Sequence, residues 1–444
     1  MMKLFYTVIF LFLLNACSFD NKTGIWNNEN VISRKDDDIF KDFKKISITE
    51  DIFDETIIVK KDYDFKIDKS FKNLNWKDIN YSRNNNTINF EYNNENKLYL
   101  KSSKLTHGKI NYFTLYDEKN FVISDERGSI IILSTIKNNI ISKFNFYKKK
   151  YKRIKKKLNL IISNNIIFVS DNLGYLYAYD YKKNKVIWAK NFKIPFNSNL
   201  KIYKNTLIAS NQNNDIYFLN LNDGSLLKRT PTEQVNIKYY FTNNFSIDND
   251  NNLYFLNSYG TLYSIDLVSK EVNWFFNLNN SIDYNPSNLF LGNQINVNKF
   301  NIISSSDTST YFFDKKRGSI IKKYNFTSNF LPIINGNFAF FITNNNLFLA
   351  VDLQNYEILF SSNINDQLTN YFGKKKLNKI QIVGFKLINN EIVIFLKNSN
   401  ILKFELNGRI KEVKKFPSKI NTNPIIADGK IFYISNKNKL NIIN

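Results

Sequence analysis

Eight stretches of the chain repeat one pattern: a short apolar run, a polar turn, then a second apolar run often closing on Asp. In order they are "FVISDERGSIIIL" (121–133), "FVSDNLGYLYAYD" (168–180), "IASNQNNDIYFLN" (208–220), "YFLNSYGTLYSID" (254–266), "IISSSDTSTYFFD" (302–314), "FFITNNNLFLAVD" (340–352), "VIFLKNSNILKFE" (393–405) and "FYISNKNKLNII" (432–443). Self-similarity at a fixed period constrains a fold more than any local signal. Each unit reads as a strand, a tight turn and a second strand. The turn slot holds Gly128, Gly174 and Gly260, or Asn214, Asn346, Asn400 and Asn438. Both residue types tolerate the positive φ of a two-residue hairpin turn. Thr308 in the fifth unit breaks the rule and predicts a different turn there.

The eight turn anchors lie about 44 residues apart on average, near the length of a four-stranded propeller blade. A further turn and strand follow in "YKKNKVIWAKNF" (181–192), "LNDGSLLKRT" (221–230), "LVSKEVNWFFNL" (267–278), "KKRGSIIKKYNF" (315–326) and "NGRIKEVKKF" (407–416). Trp188 and Trp274 each stand fourteen residues after their turn glycine. A large aromatic at a fixed slot suits packing between neighbouring blades better than ligand stacking.

These spacings predict an all-β, eight-bladed β-propeller of four-stranded antiparallel blades over 71–444, with seven blades the nearest alternative. The eighth unit stops at Asn444 after its second strand. The segment "FKNLNWKDIN" (71–80), with Trp76 in the tryptophan slot, is expected to supply its outer strand and so remove the open sheet edge. The stretch "NNNTINFEYNNENKLYLKSSK" (84–104) reads as an added hairpin, and 17–70 mainly as a tether, with "ETIIVK" (55–60) its regular apolar stretch.

Cys17 is the only cysteine. Lys3 and the apolar run from Leu4 to Leu14 precede it, a signal-peptide core too short to span a bilayer. Leu14, Asn15, Ala16 and Cys17 resemble a bacterial lipoprotein box, so 1–16 is expected to be cleaved and Cys17 acylated. Two or more acyl chains anchor a protein stably. The mature body then holds no thiol, which excludes a disulfide framework and a thiol nucleophile. His107, the only histidine, stands in a turn-like spot and reads as an ordinary loop residue. A Ser-His-Asp triad or a His-rich metal site is thereby nearly excluded.

The formal net charge is +23, and Asn occurs 74 times. Lys, Asn, Ile and Phe share AT-rich codons, so composition accounts for part of the basicity. The densest basic run, "KKKYKRIKKK" (148–157), reads first as a solvated loop. For an exported chain its other reading is attraction to lipid phosphates or an acidic partner rather than nucleic acid.

The stretches "DNLGYLYAYDYKKNKVIW" (171–188) and "NSYGTLYSIDLVSKEVNW" (257–274) resemble the PQQ-like propeller repeat. With the lipoprotein box and the closing "TNPIIADGKIFYISNKNKLNII" (422–443), the chain over 71–444 resembles the outer-membrane protein assembly factor BamB family. That resemblance implies a non-catalytic scaffold without cofactor or metal, lipid-anchored to the outer membrane and facing the periplasm. It also implies binding to the POTRA domains of the barrel-assembly subunit, help for unfolded β-barrel clients, and a monomer within a complex. In the family, partner contacts come from loops joining the third to fourth and fourth to fifth blades. Here these fall near 232–241 and 278–290 and make Ile237, Lys238, Tyr239 and Asp283 the candidates. An apolar and aromatic centre in a polar rim suits such an interface.

Two other classes compete. A quinoprotein dehydrogenase uses the same repeat, but this chain has no vicinal cysteine pair and shows no clustered Glu and Asp for Ca²⁺. A lipid-anchored periplasmic or surface propeller that binds another protein or a polysaccharide also fits the sequence.

Overall fold

The computed structural model describes residues 18–19, 26–27, 52–60, 63–234, 241–278, 290–292, 294–373 and 380–444. The chain divides into two units, 1–51 and 52–444. In the first, Ser18–Phe19 and Trp26–Asn27 form a short antiparallel pair. Cys17 lies outside the described residues.

The second unit carries eight four-stranded sheets. In each of the first seven, the strands pair in chain order. The first sheet is Leu115–Asp117, Asn120–Ser124, Ser129–Ser134 and Asn139–Asn145; the second is Leu158–Ser163, Ile166–Asp171, Tyr175–Asp180 and Lys185–Asn191. The third begins at Lys201–Tyr203, the fourth at Asn244–Ile247, the fifth at Asn296–Val297, the sixth at Ile333–Asn335 and the seventh at Ile382–Ile388. These are the blades of a propeller. A helix, Ile364–Phe372, follows the sixth blade; the Asn363 side chain caps its start and Gly373, at φ +61°, ends it.

Neighbouring blades cover both faces of the three inner strands. Ser129–Ser134 is accordingly buried at every position, whereas the outer strand Asn139–Asn145 holds exposed and half-buried residues. Strands covered on both faces read as continuous apolar runs. Between the third and fourth strands, a register shift recurs at Ile132/Leu133, Ala178/Tyr179, Phe218/Leu219, Ser264/Ile265, Phe312/Phe313, Ala350/Val351 and Lys403/Phe404. Such shifts increase local twist.

The hairpin turns correct the sequence reading in two ways. Asp125 N–H donates to Ser129 O at 3.1 Å and Gly128 N–H to Asp125 O at 2.9 Å. The loop is therefore three residues long, with only its last, Gly128, at positive φ (+83°). Asp125 Oδ1 accepts from Arg127 N and Ser129 N. Asp171, Asn211 and Asn257 do the same in the next three blades. In the seventh blade the positive φ falls on Ser399 (+82°), not on Asn400. The fifth turn does differ: no residue from Ser306 to Ser309 has positive φ, and Ser306 N–H donates to Ser309 O at 2.8 Å.

The ring closes with a strand from the N-terminal side, but not the expected one. The eighth sheet runs Leu98–Lys101, Leu440–Ile443, Lys430–Ile434, Ile425–Ala427. The closing strand, "LYLK", lies in the stretch read as an added hairpin. The segment 71–80 lies elsewhere, and Trp76 occupies no outer-strand slot. Its place inside the ring reflects burial: Trp76 is 1% exposed, whereas Leu98 and Tyr99 of the closing strand are exposed. Part of the stretch read as tether also lies on the ring. Ile57 pairs with Ser361 of the sixth blade, Phe53 N–H donates to Asn325 O at 2.8 Å, and Phe65 packs against Phe338 at 5.1 Å between ring centroids.

Candidate functional site: the axial channel and its rim

The first strands of the blades leave one edge of backbone groups facing the propeller axis. Buried N–H and C=O groups need partners, and here residues 73–90 supply many of them. The segment visits the blades in ring order. Asn73 Nδ2 donates to Ile426 O at 2.7 Å in the eighth blade. Trp76 exchanges backbone hydrogen bonds with Tyr116 at 2.7 and 2.8 Å in the first, and Ile162 N–H of the second donates to Lys77 O at 2.9 Å. Lys201 of the third blade donates to Asp78 Oδ2 at 2.7 Å and Ser82 O at 2.9 Å.

The circuit continues through the remaining blades. Ile247 N–H of the fourth donates to Arg83 O at 2.9 Å, and Val297 N–H of the fifth to Asn84 O at 3.1 Å. Asn85 Nδ2 bridges Phe245 O and Ile295 O, each at 2.8 Å. Asn86 pairs its amide with both backbone groups of Ile334 in the sixth blade. Phe90 bonds Leu387 O and Asn389 N in the seventh, each at 2.9 Å. Trp76, Tyr81 and Phe90 meet at the centre with ring centroids 4.8 to 5.4 Å apart. The channel is thus filled by the chain itself.

The Lys201–Asp78 pair is the electrostatic anchor of this segment, with side chains 0% and 8% exposed. Burial pulls the Lys201 ammonium below the ordinary lysine range, and the Asp78 carboxylate opposes that shift. Such a pair is costly to break from one side only. A second buried lysine, Lys386 on the first strand of the seventh blade, has no carboxylate beside it among the described residues. Its sequence signal was a lone cation in the apolar "QIVGFKLI" (381–388), which sequence reasoning passed over.

Between blades, the tryptophans take a shared place. Trp188 Nε1 donates to Leu221 O and Trp274 Nε1 to Lys315 O, each at 3.0 Å, in the following blade. A Cβ at Gly224 would meet the Trp188 ring at 2.5 Å, and one at Gly318 the Trp274 ring at 2.5 Å. Phe360 and Gly408 repeat this contact at 2.4 Å between the sixth and seventh blades. Gly174 and Gly260 hold the hairpin turns at φ +85° and +90°.

Ile237, Lys238, Tyr239 and Asp283 lie outside the described residues. The stems of their two loops pack together: Phe241 and Phe290 have ring centroids 5.4 Å apart. Glu233, at the start of the first loop, accepts from Asn257 Nδ2 at 3.3 Å and from the Tyr263 hydroxyl. Burial first, then this carboxylate, raise Tyr263 well above the ordinary tyrosine range. The basic run 148–157 is partly structural. Lys156 is buried with its ammonium on Tyr151 O, and Lys157 bonds Thr242 Oγ1 at 2.8 Å and Asn197 Oδ1 at 3.2 Å. His107 is exposed in a loop, 3.2 Å from Lys104 Nζ.

Among the described residues, no group of three or more His, Cys, Asp or Glu is placed to hold a metal ion, and none of their helices is long and apolar enough to cross a membrane. The repeats and their closure define an eight-bladed propeller of the PQQ-like class. More particularly, the chain belongs to the outer membrane protein assembly factor BamB family, whose family model matches residues 126–359, more than half of its length. No match was found among curated proteins.

Solved structures share the fold. BamB from Moraxella catarrhalis superposes with a TM-score of 0.61 at 11% identity, over 78% of this chain and 99% of that one. The computationally designed Ika8 protein gives 0.58 at 10%, over 78% and 99%. Quinohemoprotein alcohol dehydrogenase from Comamonas testosteroni gives 0.60 at 8%, over 83% and 80%. Likeness at such identity speaks to fold alone, and propellers host many functions. Family membership marks this chain as a non-catalytic, protein-binding scaffold.

Proposed function

We propose that the chain is a lipid-anchored scaffold of the outer membrane, facing the periplasm, that binds the POTRA domains of the barrel-assembly subunit and assists insertion of β-barrel clients. Membership of the BamB family carries this reading. Three features support it. Cys17 directly follows an apolar export signal. The channel is packed by residues 73–90. The described stems of the two candidate loops pack together at Phe241 and Phe290.

Capture of the tagged protein from detergent-solubilised membranes tests the proposal. The expected result is co-recovery of the barrel-assembly subunit. Recovery of inner-membrane transport components alone contradicts it. Cys17→Ser tests the anchor separately, and is expected to release the protein from the acylated membrane fraction.

A further inference from the structure

At the end of the channel where the first strands begin, the axial segment leaves a cavity of about 210 Å³. Trp76, Ile79, Phe113, Phe330 and Phe385 supply apolar wall, and Tyr112 and Asn329 stand exposed at its edge. Asn80, Asn85 and Asn423 add amides, and among the described residues no Asp or Glu lines it. Among the described residues the one charged lining residue is Lys386, whose side chain is nine-tenths buried at 8% exposure. Its ammonium lies 5.6 Å from the Trp76 ring centroid. Among the described residues it has no ion pair and no hydrogen-bond acceptor.

A buried cation without a counter-charge is unfavourable unless something pairs with it. Lys201, half the ring away by blade order, shows the alternative, since its ammonium is met by Asp78 at 2.7 Å. Burial alone, with no opposing carboxylate, pushes the Lys386 amine down to about 8. The cavity falls below the roughly 300–1,000 Å³ of pockets that hold drug-sized ligands. One cation, apolar walls and a few amides match a small monoanion with an apolar body.

We infer that this cavity binds a small free carboxylic acid, its carboxylate paired with Lys386 and its apolar body against Trp76, Phe113 and Phe385. This inference does not depend on the scaffold reading.

Ligand-observed NMR on the detergent-solubilised protein, with phenylacetate and its neutral isostere phenylacetamide, tests the inference. Saturable phenylacetate binding is expected, with phenylacetamide at least about tenfold weaker, as loss of one charge-assisted hydrogen bond requires. Lys386→Met should lose the preference for the anion, and Lys386→Arg should retain it. Equal binding of the two probes, no saturable binding, or an unchanged preference in Lys386→Met overturns the inference. Should Lys386→Met fail to fold, the two probes on the unaltered protein decide the matter alone.

Discussion

The ring and the segment inside it are held by different means. The first seven blades are built from neighbours in sequence, with hairpin partners a few residues apart and the same bulge and turn cap reused. The axial segment 73–90 has no repeat. Its partners lie as far as 353 residues away, as in Asn73 with Ile426, and many of its contacts are backbone groups and asparagine amides. The ring illustrates how stability accumulates from repeated local units. The segment illustrates how one irregular strand satisfies the inner edges that such a ring leaves open.

The largest expected effect separates the two directly. Asp78→Ala strips the counter-charge from fully buried Lys201 and should cost about 3–5 kcal/mol, seen as a large fall in thermal midpoint. Adding Lys201→Met to that variant should restore much of the loss. A neutral Asp78→Ala would mean that the segment does not anchor the ring.

Lys386→Met should act in the opposite direction, stabilising the protein at pH 7 by up to about 3 kcal/mol. The sign follows from the amine, which burial lowers to about 8 from 10.5. Between those values the unfolded chain holds more protons, so this lysine's contribution to stability rises with pH across that window. Denaturant melts at pH 7.5 and 10 check this: the advantage of the variant should shrink at the higher pH.

Within the ring, Gly224→Ala forces a Cβ to 2.5 Å from the Trp188 ring at φ +68°, and should cost about 1–3 kcal/mol by overpacking and backbone strain. The smallest effect belongs to the outer strands. Lys228→Ala removes a pair with Glu271, whose side chain is 73% exposed, and should change stability by about 0–1 kcal/mol.

The same contrast explains what was legible in the sequence. Blade number, turn positions and the Trp188 and Trp274 slots follow from periodicity, because each repeat solves the same local packing problem. The closing strand was misassigned because "NWKDIN" imitates an outer strand through Trp76, while "LYLK" carries too few residues to stand out. Burial of Trp76 on the axis depends on contacts with blades far along the chain, which no local pattern encodes. The turn length was missed because Gly128 fits the left-handed position of both two- and three-residue loops. Asp125, which caps that loop, was the available signal. Lys386 needed the fold, since only the channel shows that no carboxylate among the described residues reaches it.

Hydrogen exchange tests the filled channel most directly. Peptides spanning 71–92 should exchange as slowly as the inner strands Ser129–Ser134 and Tyr175–Asp180, because the amides of Trp76 and Phe90 are bonded to Tyr116 O and Leu387 O. Exchange of 71–92 within seconds, while the blade strands stay protected, would contradict an axis closed by the chain's own segment.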